Sequence, residues 1–172
     1  PSDTRLVEAW VRQLPTSHRQ MAGDSRALLR TIDQPVHLAL TSPPYWTLKE
    51  YPAHAGQLGS VAEYEAFLDG LEEVWNGVHN LLVPGGRLVI VVGDVLLARR
   101  RHGRHSVMPL HASIQERCRK IGFDNLAPII WYKIGNAAHE ADNGSAGFLG
   151  KPYEPNAVIK NDIEYILMQR KG

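Results

Sequence analysis

The chain has 172 residues, 44% of them hydrophobic and 22% charged, with a formal net charge of +1, values ordinary for one globular domain that buries a real core. No apolar stretch approaches a membrane span, the longest being residues 88–92, and Pro1-Ser2-Asp3-Thr4 lacks the basic head and apolar core of a signal peptide. Cys118 is the sole cysteine, which excludes an intrachain disulfide and suits a reducing, cytoplasmic setting.

From the N-terminus, Leu6, Val7, Trp10, Val11 and Leu14 fall at helical spacing, so residues 4–14 predict a helix that Pro15 ends. Residues 18–23 read as a short strand or an extended link. Asp24 or Ser25 can cap a second helix through Ala27, Leu28, Leu29 and Ile32. The run Val36-His37-Leu38-Ala39-Leu40 predicts a buried strand that stops at Thr41, because neither Pro43 nor Pro44 offers an N–H to a ladder. Residues 47–59 are loop-like. Ser60-Val61-Ala62-Glu63 has the form of a capping box, and it precedes a helix whose apolar set runs from Tyr64 and Phe67 to Leu81 and Leu82. Pro84-Gly85-Gly86 stops that helix. Residues 88–92, apolar on both faces, suit an interior strand of a parallel sheet ending at Gly93-Asp94. A basic loop, Arg99-Arg100-Arg101-His102-Gly103-Arg104-His105, comes next, and Leu110, Ile114, Cys118 and Ile121 mark a helix ended by Gly122. Residues 126–132 read as a strand, 135–161 as a long irregular loop inside the domain, and 163–168 as a last strand.

This order predicts an α/β layered sheet in a single domain over residues 1–172, with ligands at the carboxyl ends of the strands. Residues 41–46 and Gly93-Asp94 both fall at carboxyl ends, which points to one crevice. The proline turn is stiff and carries a hydroxyl, backbone carbonyls without ladder partners and two aromatic rings. Acceptors beside a stacking surface suit a planar, amino-bearing ring. A basic run is ordinarily a solvated loop. Its position after a carboxyl-end turn directs Arg99, Arg100, Arg101 and Arg104 to phosphate, with Lys133, Lys151 and Lys160 extending that surface. His102, His105, His111 and Cys118 are metal-ligand types, but their spacing matches no compact zinc pattern, and no metal is expected.

Thr41-Ser42-Pro43-Pro44-Tyr45-Trp46 after an apolar strand resembles the target-base motif of DNA amino-methyltransferases. The Thr-Ser form is similar to that of cytosine-N4 enzymes, whereas adenine-N6 enzymes more often carry Asp or Asn in place of Ser42. The resemblance continues in order through Leu82-Val83-Pro84-Gly85-Gly86, Gly93-Asp94, Val107-Met108-Pro109-Leu110, Ile129-Ile130-Trp131, Gly144-Ser145 with Pro155-Asn156, and Glu164-Tyr165-Ile166-Leu167. It covers roughly residues 18–171, in the order of the permuted (β-like) subgroup. It implies a partial Rossmann-like methyltransferase sheet with helices on both faces, S-adenosylmethionine as cofactor, and double-stranded DNA as partner. Ser42, Pro43, Pro44 and Tyr45 are the implied catalytic residues, Thr41 and Trp46 line the implied base pocket, and Asp24 and Asp94 are implied cofactor contacts. Each aspartate also has a simpler reading, as a helix cap and as a turn residue. In the implied chemistry Ser42 Oγ and the Pro43 carbonyl accept the two N–H bonds of a flipped cytosine's amino group, and Tyr45 stacks on the base. A lone cysteine on a helix face argues against ring-carbon methylation.

One departure stands out. The family's cofactor loop, Phe-x-Gly-x-Gly after a strand, is absent; Gly144-Ser145-Ala146-Gly147-Phe148 has glycines but no preceding apolar strand. The cofactor half of the sheet is therefore expected to come from a missing C-terminal segment or a second polypeptide, and a homodimer is another way to cover the open edge of the 36–41 strand. The competing readings are an adenine-N6 methyltransferase and a truncated, non-catalytic DNA-binding fragment.

Overall fold

The expected strand forms over Val36–Thr41 (β1) and ends just before the prolines, but it was expected to be buried and none of its residues is, because it lies at the edge of the sheet among the described residues. The computed structural model describes residues 2–49, 51–52, 54–133 and 163–172. The irregular stretch 135–161, Gly144-Ser145, Lys151, Pro155-Asn156 and Lys160 lie outside the described residues. Helix α1, Ser2–Val11, exposes Leu6 and Trp10, and α2, Ser25–Leu28, continues as a 3-10 turn over Leu29–Thr31.

Helix α3, Tyr64–Leu81, starts with Glu63 as its cap, whose carboxylate accepts from the Ala66 N–H at 2.5 Å. The expected cap, Ser60, instead donates to the Gln57 carbonyl at 2.7 Å, because it closes a 3-10 turn over Leu58–Ser60. Leu81 ends the helix, and strand β2, Leu82–Val92, follows with no loop between. Pro84-Gly85-Gly86 therefore lies within β2. Its residues bulge from the ladder: Val36 pairs with Leu82 and Leu38 with Arg87, five steps on β2 against two on β1. Gly85 supplies the left-handed turn, φ 78°, and Pro84 needs no ladder N–H there.

After β2 come β3 (Val95–Leu97), α4 (Arg99–His102) and β4 (Ser106–Met108); β3 and β4 pair antiparallel, so the expected basic loop is the tip of a hairpin. Helix α5, Leu110–Ile121, ends at Gly122 in the left-handed conformation. Of the strand expected over 126–132 only β6 (Ile129–Tyr132) forms, and a short strand that was not expected, β5 (Phe123–Asn125), precedes it; both pair with β7 (Ile163–Lys171). Asn125 faces Gln169 and Ile129 faces Ile166, so the pairing slips by one residue where Pro128 interrupts it.

The main sheet runs β1-β2-β7-β5, with β6 beside β7. β1 and β2 are parallel and every pairing to β7 is antiparallel, so the sheet is mixed where a parallel one was expected. Leu88, Ile90, Val92 and Leu167 point to one face and bury against Phe67, Leu71 and Trp75 of α3 and Leu110, Ile114 and Cys118 of α5. Side chains alternate across a strand, so Leu38, Leu40, Val89, Val91 and Ile166 share the other face. Among the described residues no helix covers that face, and Leu38 and Leu40 of β1, at the sheet edge, are 57% and 67% exposed. The α/β sheet is as expected; a helical layer on its second face is not found among these residues. No described helix is long and apolar enough to cross a membrane.

Candidate active site

Ser42 follows β1 directly, and Pro43 and Pro44 carry the chain over the carboxyl end of the sheet. Ser42 is exposed and Pro43 buried. Among the described residues the Pro43 carbonyl accepts no hydrogen bond, as its place beyond the ladder demands. The Tyr45 hydroxyl donates to the Val91 carbonyl at 3.4 Å and accepts from Ser42 Oγ at 3.5 Å, so the ring spans from the end of β1 to the end of β2. Burial raises the Tyr45 hydroxyl above its ordinary value and keeps it a neutral donor.

Trp46 turns the other way. Its φ of 47° lies in the left-handed region that a bulky aromatic rarely enters. Two contacts hold it there: its Nε1–H donates to the Val61 carbonyl at 3.0 Å, and its ring meets Tyr64 edge-on with centroids 5.0 Å apart. At 7% exposure Trp46 sits in the hydrophobic core and does not line the cavity beside the proline turn, although it was expected as a pocket residue. Thr41 is likewise off the pocket, because it sits opposite Ile90 on the helical face of the sheet.

The resulting cavity, about 550 Å³, is lined by Ser42, Pro43, Pro44 and Tyr45 together with Lys49, Tyr51, Gln57, Val91, Trp131, Lys133 and Glu164. Sequence reasoning missed Lys49, Tyr51 and Gln57 as site residues, since no periodicity marks a loop. The one signal is Gly59: a Cβ there would stand 2.2 Å from Tyr51 Cδ2, so that ring lies flat on the glycine backbone. Lys133 was expected to extend the basic surface. It pairs with Glu164 at the cavity instead.

A second cleft, about 380 Å³, shares Pro44 and includes Gly23, Asp24, Arg26 and Gly56. Asp24 caps α2 by accepting from the Arg26 N–H at 2.9 Å, and the Arg26 guanidinium binds the same carboxylate at 2.7 Å. Those bonds hold the Asp24 carboxyl down at about 2, so it stays ionised and acts as an acceptor. Asp94 lines neither cavity. Its Oδ1 accepts from the His111 N–H at 3.2 Å and lies 2.6 Å from His111 Nδ1, so it caps α5, while the His111 ring stacks on Tyr165. The helix-cap reading of Asp24 matches this geometry, whereas Asp94, expected as a simple turn residue, binds the first turn of α5; of the two clefts described, Asp24 borders one and Asp94 neither. Burial pushes the Cys118 thiol up to about 12, which leaves it no role as a nucleophile.

Arg99, Arg100, Arg101 and Arg104 are all exposed at the hairpin tip, and none is ion-paired among the described residues. The base of that hairpin, β3, packs on the 3-10 turn Trp46–Leu48 that follows the proline motif. Their charge is therefore mounted beside the same end of the sheet.

The family of DNA methylases of the N6/N4 type matches residues 36–172. The type II methyltransferase M.MjaI of Methanocaldococcus jannaschii is 31% identical, over 92% of this chain and 57% of its own length. M.MthZI of Methanothermobacter thermautotrophicus is 28% identical, over 92% and 46% respectively. The crystal structure of the Thermus thermophilus protein TTHA0409, a putative DNA modification methylase complexed with S-adenosyl-L-methionine, is 56% identical with a TM-score of 0.67, covering 90% of this chain and 54% of that one. The cytosine-N4-specific PvuII methyltransferase, 17% identical with a TM-score of 0.59, covering 87% of this chain and 48% of that one, shares the fold. The chain spans about half the length of the relatives it matches.

Proposed function

The chain belongs to the N6/N4 family of DNA methylases, and from that premise we propose that it forms the target-base part of a site-specific enzyme that methylates the exocyclic N4 of a flipped-out cytosine. One observation carries the reading: an exposed Ser42 hydroxyl and a Pro43 carbonyl with no partner among the described residues border an aromatic-walled cavity of about 550 Å³ at the carboxyl end of β1. Both acceptors are uncharged. An amino nitrogen held by them has its lone pair turned out of the ring's conjugation, and the bonds strengthen as positive charge grows on that nitrogen. Tyr45, fixed through Val91, offers the base a face to stack on.

The methyl donor in this reading is S-adenosylmethionine, which supplies an electrophilic methyl group. The residues present suit part of it: Asp24 is an ionised acceptor at the mouth of a cleft that shares Pro44 with the base cavity. A Gly-rich cofactor loop is not among the described residues. We assign it to further sequence, either on the same polypeptide or on a partner, which also covers the exposed side chains of β1. Residues 1–172 then act as one partial catalytic domain.

Mass spectrometry of nucleosides from DNA methylated by the assembled enzyme tests the target. N4-methylcytosine is the expected product, and N6-methyladenine alone overturns the cytosine assignment. The hairpin arginines contact phosphate in the same reading. Replacing Arg99, Arg100, Arg101 and Arg104 together with Gln lowers the slope of log affinity against log salt by about 3 to 4. An unchanged slope returns them to a solvated loop.

A further inference from the structure

Glu164 opens β7 with its side chain 15% exposed, and the ammonium of Lys133, one residue past β6, lies 2.6 Å from its Oε1. Across the ladder Glu164 faces Trp131, and Lys133 Nζ sits 4.6 Å from the centroid of that ring. Glu164 also closes on the proline motif: a Cβ built on Gly93 would stand 3.4 Å from Glu164 Cγ and 3.5 Å from the Tyr45 ring. Both side chains thus border Gly93.

As a structural tie the pair is weak, because Lys133 is 44% exposed and water screens an ion pair so hydrated. Its place in the cavity has a clearer purpose. Ser42 and the Pro43 carbonyl present acceptors to an amino group and nothing to the rest of the base. In cytosine and in adenine alike, the ring nitrogen beside the exocyclic amine is an acceptor and requires a donor. A lysine stem is normally free to wander; this one is held from one side by a carboxylate and rests on an indole face.

Resting on the reading of the cavity as a target-base pocket, we infer that Lys133 donates to the ring nitrogen next to the methylated amine, and that Glu164 is its positioning residue. Glu164 holds Nζ at the cavity wall, so the pocket recognises an amine and its neighbouring acceptor as a unit.

The test titrates the chain by NMR at about millimolar concentrations with deoxycytidine monophosphate, its 3-deaza analogue, in which a C–H replaces the ring nitrogen, and an abasic deoxyribose phosphate. The parent chain prefers the natural nucleotide over the 3-deaza analogue by about tenfold. Lys133→Met abolishes that preference and leaves the weak binding of the analogue unchanged. Glu164→Gln, nearly the same size, reduces the preference without lowering the melting temperature, an effect that a merely structural role does not produce. A preference that survives Lys133→Met overturns the inference. So does equal weakening of all three ligands, which identifies Lys133 as a phosphate contact. If the natural nucleotide binds no better than the abasic phosphate, the target-base reading itself falls; if deoxyadenosine monophosphate shows the same Lys133 dependence and binds better, the pair stands and the cytosine assignment falls.

Discussion

Replacing Ser42 with Ala in the methyl-transferring enzyme lowers kcat about a hundredfold and leaves DNA affinity within about twofold of the parent. The hydroxyl is exposed at the cavity and its bond to the Tyr45 hydroxyl is long at 3.5 Å, so its removal disturbs little of the folded chain. In the proposed function what is lost is an acceptor whose bond to the amine strengthens as charge develops, and such a loss falls on kcat rather than on binding. Tyr45→Ala has an effect at least as large, because it removes both the stacking face and the link to the Val91 carbonyl. Tyr45→Phe keeps the face and loses only a 3.4 Å bond, so it is milder. Single-turnover transfer of labelled methyl, measured beside DNA binding, separates these terms. Equal loss of DNA binding in the Ser42 and Tyr45 variants would sink the assigned roles.

Trp46→Ala destabilises the fold by about 3–5 kcal/mol, read as a shift in the urea unfolding midpoint at constant slope. This residue is only 7% exposed, packs edge-on to Tyr64 and donates its indole N–H to the Val61 carbonyl. Truncation leaves a cavity and an unpaired carbonyl together, and it removes the contacts that hold the backbone at a φ of 47°. Trp46→Phe retains most of the ring and loses the hydrogen bond, at a cost of about 1–3 kcal/mol. Were Trp46 a pocket-lining residue, either change would fall within about 0.5 kcal/mol of the parent, as surface substitutions do. The two outcomes are far enough apart that one melt decides between them.

Trp46 also shows where local reasoning stops. Two aromatics in succession after a proline pair looked like two walls of one pocket. The left-handed turn at Trp46 sends them to opposite sides, Tyr45 to the cavity and Trp46 to the core, and it is fixed by Val61 and Tyr64, both beyond the loop. Ser60 failed as a helix cap for a similar reason, since its hydroxyl was already committed to Gln57 in a turn that hydrophobic spacing does not reveal. Asp24 was legible as a helix cap, because a short carboxylate just before a helix accepts from a first-turn N–H.

The end of β1, the rigid Ser42-Pro43-Pro44-Tyr45 turn, the apolar faces of α3 and α5, and the family are all legible in local pattern. These follow from constraints that act within a few residues: a proline has no N–H, and a buried face repeats every three or four positions. That β7 runs antiparallel to β2, and so delivers Glu164 and its ion-pair partner Lys133 to the wall of the cavity that Ser42 opens, is settled by the sheet as a whole. Ladder register sets that meeting, and register is a property of which strands find each other, which no local pattern in β1, β6 or β7 encodes.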